Sequence, residues 1–189
     1  MRKRSIVAAL AAGALAVTAL MGASPATAVE LPPGSTYVAL GDSEAAGTGN
    51  LPYVDQSCLR SARSYPAHLG AWFGGVASTA CSGATTGDVY DQLGNLGYTT
   101  QLVPLTVGVN NTGWQTVLAA CSSAGDPASC AQAAGAATAA IQALPQDIGM
   151  LLVAIRTAAP NAYIAVTGYP MLFGQVAKTC SVGAFQGTP

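Results

Sequence analysis

Ser43 is the residue in this sequence best placed to act as a nucleophile. It closes Gly41-Asp42-Ser43 at the end of an apolar, β-prone run, Tyr37-Val38-Ala39-Leu40. Glu44-Ala45-Ala46-Gly47-Thr48-Gly49 follows, with few bulky side chains. Small residues there leave room for a substrate, and glycines let backbone N–H groups turn toward it. In an α/β protein, ligands sit outside the carboxyl ends of the strands. A serine at that point faces a crevice rather than a core. All three residues of the tripeptide also favour ordinary turns, so the tripeptide alone leaves both readings open.

Two later segments have the same layout, an apolar run followed by a small polar loop. They are Ala80-Cys81-Ser82-Gly83-Ala84-Thr85-Thr86 and Thr106-Val107-Gly108-Val109-Asn110-Asn111-Thr112-Gly113. Parallel strands end on one edge of a sheet, so all three loops are expected to open together. A serine nucleophile needs donors aimed at the oxyanion of a tetrahedral intermediate. The Gly83 backbone N–H and the Asn110 side-chain amide are suitable in kind. Separately, a glycine helix start and an asparagine turn are common. Three such loops in the order Ser, Gly, Asn form a pattern.

The elements that must position these loops alternate between strand and helix. Strands are predicted over Thr36 to Leu40, Gly75 to Ala80, Gln101 to Val107 and Ala162 to Thr167. Helices are predicted over Ser64 to Phe73, Thr86 to Leu96, Thr112 to Cys121, Ala131 to Leu144 and Gln146 to Ala158. The first should bury Tyr65, Leu69, Trp72 and Phe73 on one face. The last carries Ile148, Leu151, Leu152 and Ile155 as an amphipathic stripe, and Pro160 stops it. Strands separated by helices indicate an α/β fold with a parallel sheet covered on both faces.

Met1-Arg2-Lys3-Arg4, the apolar run from Ile6 to about Met21, and Ala26-Thr27-Ala28 read as a secretory signal over residues 1–28. Residues 29–189 are then one domain, expected to be secreted. Its cations are Arg60, Arg63, Arg156 and Lys178, against eight carboxylates. That balance gives no basic patch for nucleic acid. No stretch beyond the leader reads as long and apolar enough to span a membrane, so no stable membrane insertion is expected. Export favours disulfides. The five cysteines are Cys58, Cys81, Cys121, Cys130 and Cys180, and spacing alone leaves their connectivity open. Without a Cys-x-x-Cys pair, and with His68 the only histidine, no metal site is expected.

The assembled motifs resemble those of secreted bacterial lipases and esterases of the SGNH (GDSL-type) hydrolase superfamily. The likeness runs from about residue 35 to 175 and includes Gly41-Asp42-Ser43, Cys58-x-Arg60-Ser61 and Ser64-Tyr65-Pro66. Ala80-Cys81-Ser82-Gly83-Ala84-Thr85-Thr86, Gly108-x-Asn110 and Gly168-Tyr169-Pro170 complete it. The resemblance implies a three-layer α/β/α fold of flavodoxin-like type, with Ser43 as nucleophile. It implies an oxyanion hole from Gly83, Asn110 and the Ser43 N–H, and disulfides Cys58–Cys81 and Cys121–Cys130. It implies a monomer that hydrolyses a small-molecule carboxylic ester or lipid, without a cofactor.

The departures from that family carry equal weight. Its general base is a histidine in an Asp-x-x-His segment after a fifth strand, and this sequence reaches Pro189 without one. Truncation relative to the family, with the last strand and helix missing, is therefore expected, and Cys180 is expected to be free. Glu44 replaces an uncharged residue, and Val109 and Asn111 replace the usual Gly and Asp around Asn110. His68 lies beside the apolar face of its helix and reads as a partly buried structural residue. Asp42, next to Ser43, reads as a turn residue. Trp114 and Met171 are candidates for an acyl pocket, with core packing the default. The alternative to a secreted esterase is an inactive remnant or a secreted lipid- or glycan-binding protein that keeps the fold.

Overall fold

A computed structural model describes residues 36–122 and 125–170, with two further strands, Cys180–Val182 and Phe185–Gly187, as backbone. The leader over residues 1–28 and Met171 lie outside the described residues.

The chain begins with β1 (Thr36–Gly41), α1 (Ser43–Ala46), β2 (Tyr53–Asp55) and β3 (Arg60–Ser61). It continues through α2 (Tyr65–Gly70), β4 (Ala77–Ser78), a 3-10 helix over Asp88–Asn95 and β5 (Thr100–Thr106). A 3-10 turn over Val109–Thr112, α3 (Trp114–Ala120), α4 (Pro127–Ala158) and β6 (Tyr163–Val166) follow. β7 (Cys180–Val182) and β8 (Phe185–Gly187) form a separate antiparallel pair.

Four strands form a parallel sheet in the order β4-β1-β5-β6. The register pairs Val38 with Ala77, Leu40 with Leu105, and Leu105 with Val166. Beyond β4 the ladder continues as Thr79 N–H donates to Ala39 O and Cys81 N–H to Gly41 O, both at 3.0 Å. Side chains alternate between faces along a strand. Val38 and Leu40 of β1 and Val103 and Leu105 of β5 therefore share one face, where they bury Val89, Leu151 and Ile155. Each such side chain, fully withdrawn from water, contributes about 1.5–3 kcal/mol. Ala45, Ala46 and Ala80 form a second buried cluster with Tyr65 against it. The predicted α/β organisation and its main strands are present. Among the described residues no strand pairs with the outer edge of β6, where Tyr163 and Val166 are exposed.

Several expectations are corrected. The two helices predicted over 131–144 and 146–158 are one helix of 32 residues, α4, with Pro145 inside it. A helix-interior proline costs about 3 kcal/mol, yet α4 continues and its last turns bury Leu151 and Ile155 in the core. Its start is set by Asp126, whose carboxylate accepts from the Ser129 N–H at 2.9 Å, with Pro127 in the first turn. Joined in this way, α4 has an 18-residue window of mean hydropathy 1.4, so one stretch beyond the leader is long and apolar enough to cross a membrane. Only 11% of that window is buried.

The apolar face predicted for Ser64 to Phe73 forms only in part: Tyr65 packs on the cluster of Ala45, Ala46 and Ala80 and the Phe73 ring lies 5.4 Å from that of Tyr37, but Leu69 and Trp72 do not turn inward. Pro66 and Gly70 are the buried residues of α2, while Leu69 is 45% and Trp72 86% exposed. The reason is close packing: a Cβ on Gly70 would stand 2.8 Å from the Val76 Cβ, so the inward face must be small. His68 is exposed rather than partly buried. The segment predicted as a helix over 86–96 winds as a 3-10 helix, and its Asp88, Asp91 and Gly94 are weak α-helix formers. The β2–β3 ladder was not anticipated.

Cys58–Cys81 and Cys121–Cys130 are bonded, closing separations of 23 and 9 residues and leaving Cys180 outside both bridges. The first ties the β2–β3 turn to the loop after β4, beside a Ser82 N–H bond to Cys58 O at 3.0 Å. Removing it with Cys58→Ser and Cys81→Ser together is expected to cost on the order of 2–4 kcal/mol in urea unfolding. A loss under about 0.5 kcal/mol would show that the surrounding hydrogen bonds carry the connection.

Candidate active site

Ser43 begins α1, the single helical turn that follows β1. Asp42 caps that turn, its Oδ1 accepting from the Glu44 N–H at 3.0 Å, and Ala45 and Ala46 anchor it by burial. The turn cannot drift from the sheet, because the Asp42 N–H donates to Thr106 O at 2.9 Å. Ser43 itself is half-buried, and Glu44 beside it is exposed.

The other two loops meet the same sheet edge. Cys81, through its N–H bond to Gly41 O, joins the loop after β4 to the Ser43 turn. Asn110 Nδ2 donates to Ala84 O at 2.9 Å, which fastens the loop after β5 to the residue following Gly83. Asn111 adds a second latch. Its Oδ1 accepts from the Thr86 N–H at 3.0 Å, and its Nδ2 donates to Thr86 Oγ1 at 2.7 Å. Trp114 Nε1 reaches Asn110 Oδ1 at 3.5 Å. An amide nitrogen has two N–H donors, so the Ala84 bond leaves Asn110 a second one. Gly83 is exposed and Asn110 half-buried. The structure thus brings the three loops together as their spacing predicts.

Asp42 is fully buried. Its Oδ2 accepts a short hydrogen bond from the Tyr169 hydroxyl. Burial pushes its carboxyl up, and the Tyr169 and Glu44 bonds pull the other way. Both of its oxygens are engaged in holding the turn, in keeping with the turn role read from sequence. His68, exposed on α2, makes no hydrogen bond to Ser43.

Two residues of the site were not singled out in the sequence. Gln92, in the 3-10 helix, clamps the backbone of Gly41. Its Oε1 accepts from the Gly41 N–H and its Nε2 donates to Gly41 O, both at 2.8 Å and buried. Tyr169 was read only as part of a turn and a motif, yet its hydroxyl reaches Asp42. A cavity of about 540 Å³ is lined by Gly83 itself, with Arg60, Cys81, Asp88, Asp91 and Gln92 among others. Ser43 does not line it.

Fold and loops together define an α/β protein with a serine after β1 and paired donor loops after β4 and β5. Residues 39–184 match the GDSL-like lipase/acylhydrolase family. The chain belongs to that family. A lipase from Streptomyces rimosus is 39% identical over 173 residues, covering 87% of this chain and 63% of the lipase. Lipase 1 from Streptomyces coelicolor is 37% identical over 179 residues, covering 90% of this chain and 64% of that protein. Among solved structures, an extracellular lipase from Streptomyces rimosus superposes with a TM-score of 0.71 at 39% identity, over 79% of this chain and 66% of that one. A phospholipase A1 from Streptomyces albidoflavus gives 0.67 at 35% identity, over 76% and 64%. The chain therefore spans less than two thirds of the length of these relatives.

Proposed function

We propose that this chain carries the serine and oxyanion half of a secreted hydrolase for carboxylic esters, lipid esters included. The observation that supports it most is the Asn110–Ala84 bond, which holds both candidate oxyanion loops at the strand end that presents Ser43. In this reading Ser43 Oγ bonds to the ester carbonyl carbon and gives its proton to a base. The carbonyl oxygen becomes an oxyanion, received by the Gly83 N–H, the Ser43 N–H and the free Asn110 amide N–H. The C–O bond to the alcohol then breaks, the alcohol leaves with a proton, and water cleaves the acyl-enzyme to acid and free Ser43. The proposal includes export through the leader at residues 1–28 and action as a monomer without a cofactor. The two disulfides suit an oxidising compartment, and the relative from Streptomyces rimosus is described as extracellular.

A second reading has its own observation. The chain's one histidine, His68, is not bonded to Ser43, so the described residues supply no imidazole base. On that reading the protein keeps the fold and binds lipid or glycan without turnover. A fluorophosphonate probe with added imidazole distinguishes the two. Label on Ser43, faster with imidazole and absent in Ser43→Ala, supports the hydrolase reading. A folded chain that takes no label at Ser43 supports the second.

A further inference from the structure

We propose that Tyr169 is a positioning residue that sets the spacing between the nucleophile turn and the Asn110 loop. The inference rests on the roles proposed for Ser43 and Asn110, and it extends them to a residue on a third segment. The Tyr169 hydroxyl donates to Asp42 Oδ2 and accepts from the Val109 N–H at 3.2 Å. Asp42 is the residue before Ser43, and Val109 the residue before Asn110. One hydroxyl thus touches the immediate neighbours of both candidate groups, from a position 127 residues beyond Asp42. No other side chain among the described residues bonds to both segments.

The remaining ties of the two segments join them through an intermediate, not directly. Asp42 N–H holds the Ser43 turn to Thr106, at the end of β5. Asn110 and Asn111 hold their loop to Ala84 and Thr86, in the loop after β4, which reaches the Ser43 turn through the Cys81 N–H bond to Gly41 O. Gly108, between Thr106 and Val109, has φ +131, so the chain bends sharply there and its direction needs an external tie. Tyr169 supplies that tie. The fixed end is Asp42, fully buried and already bonded to the Glu44 N–H. An oxyanion donor works only when held near 3 Å from the oxygen it receives, so slack at Val109 is transmitted to Asn110.

The test is Tyr169→Phe in the whole chain, which removes the hydroxyl and keeps the ring. Two quantities are read: amide hydrogen exchange, and the rate of fluorophosphonate labelling at Ser43 in the presence of imidazole. Exchange at Val109 is expected to rise at least tenfold, and labelling to fall at least tenfold. Exchange at Val38 and Leu105, in the sheet centre, is expected to hold. Tyr163→Phe, an exposed edge tyrosine of β6, should change neither reading. Unchanged labelling in Tyr169→Phe with faster Val109 exchange would make the residue merely structural and overturn the proposal. Should Tyr169→Phe not fold, the wild type decides: a Val109 amide that exchanges at the unprotected rate overturns the bridge. A wild type with protected Val109 but no label at Ser43 overturns the positioning role together with the hydrolase reading. An unprotected Val109 with normal labelling overturns the bridge alone.

Discussion

The 189-residue chain will hydrolyse p-nitrophenyl acetate and butyrate about 10⁴- to 10⁶-fold more slowly than a serine hydrolase with a complete triad. A serine hydroxyl is scarcely ionised at neutral pH and needs a base to take its proton. His68 is exposed on α2 and not bonded to Ser43. Asp42, one of the two carboxylates that flank Ser43 in sequence, spends both oxygens on the Glu44 N–H and the Tyr169 hydroxyl. Donors at Gly83 and Asn110 would leave a residual advantage of about 10³–10⁴ over water. The deficit corresponds to about 5–8 kcal/mol of transition-state stabilisation. Glu44, exposed beside Ser43, would oppose a developing oxyanion when ionised. Steady-state assays of the purified chain, with Ser43→Ala and His68→Ala, settle the matter. Turnover at several per second that His68→Ala abolishes would show that His68 reaches Ser43 and is the base.

Gly41→Ala will lower the stability of the domain by about 3 kcal/mol or more, or about 6–12 °C in melting temperature for a chain of this size. Gly41 sits at φ +134, in a region that side chains rarely enter. A Cβ there would stand 2.2 Å from Thr106 O, a backbone atom of the neighbouring strand. A flexible side chain could yield, but a backbone carbonyl can move only by opening the end of the β1–β5 pairing. Gly41 is also held by both ends of the Gln92 amide, so rotation of the peptide out of the clash breaks those bonds. The damage falls one residue from Asp42, and the Ser43 turn goes with it. Thermal unfolding followed by circular dichroism reads the effect. A variant that melts within about 2 °C of wild type, a shift worth no more than about 1 kcal/mol, would mean that the contact relaxes without cost.

The strands were legible because their apolar runs end at abrupt turn residues. Tyr37 to Leu40 stops at Gly41-Asp42, and β5 stops at Val107-Gly108. Parallel strands share an edge, so the meeting of the Ser43, Gly83 and Asn110 loops followed from that pattern. Pairing of the cysteines was not legible from spacing. It came through the likeness to a family, and the bonds agree. The reading of α4 failed at Pro145, where a local rule about proline was stronger in sequence than the downstream packing of Leu151 and Ile155. The apolar face read for Ser64 to Phe73 failed for Leu69 and Trp72, though not for Tyr65 and Phe73, because the inward position between them is Gly70, which fits against Val76 with no room for a side chain. Gln92 and Tyr169 were invisible for a different reason. They act through pairs of polar contacts to residues far off in sequence, 51 residues away for Gln92 and 127 and 60 for Tyr169. Contacts of that kind leave no periodicity and no spacing to detect.

The bridge between Cys58 and Cys81 also makes the site sensitive to thiol chemistry. Gly83 lies two residues beyond Cys81, so the wall that would receive an oxyanion is anchored through a bond that survives only under oxidising conditions. In a reducing cytosol both sulfurs stay as thiols. The loop then relies on hydrogen bonds alone, from Cys81 N–H to Gly41 O, from Ser82 N–H to Cys58 O and from Asn110 Nδ2 to Ala84 O among them. A chain made inside a cell and still unexported would thus carry a loosened Gly83, and any acyl-transfer capacity at Ser43 would mature only after the chain reaches an oxidising compartment. Dithiothreitol should reverse that maturation, slowing Ser43 labelling in the wild type and leaving a Cys58→Ser, Cys81→Ser double variant unaffected.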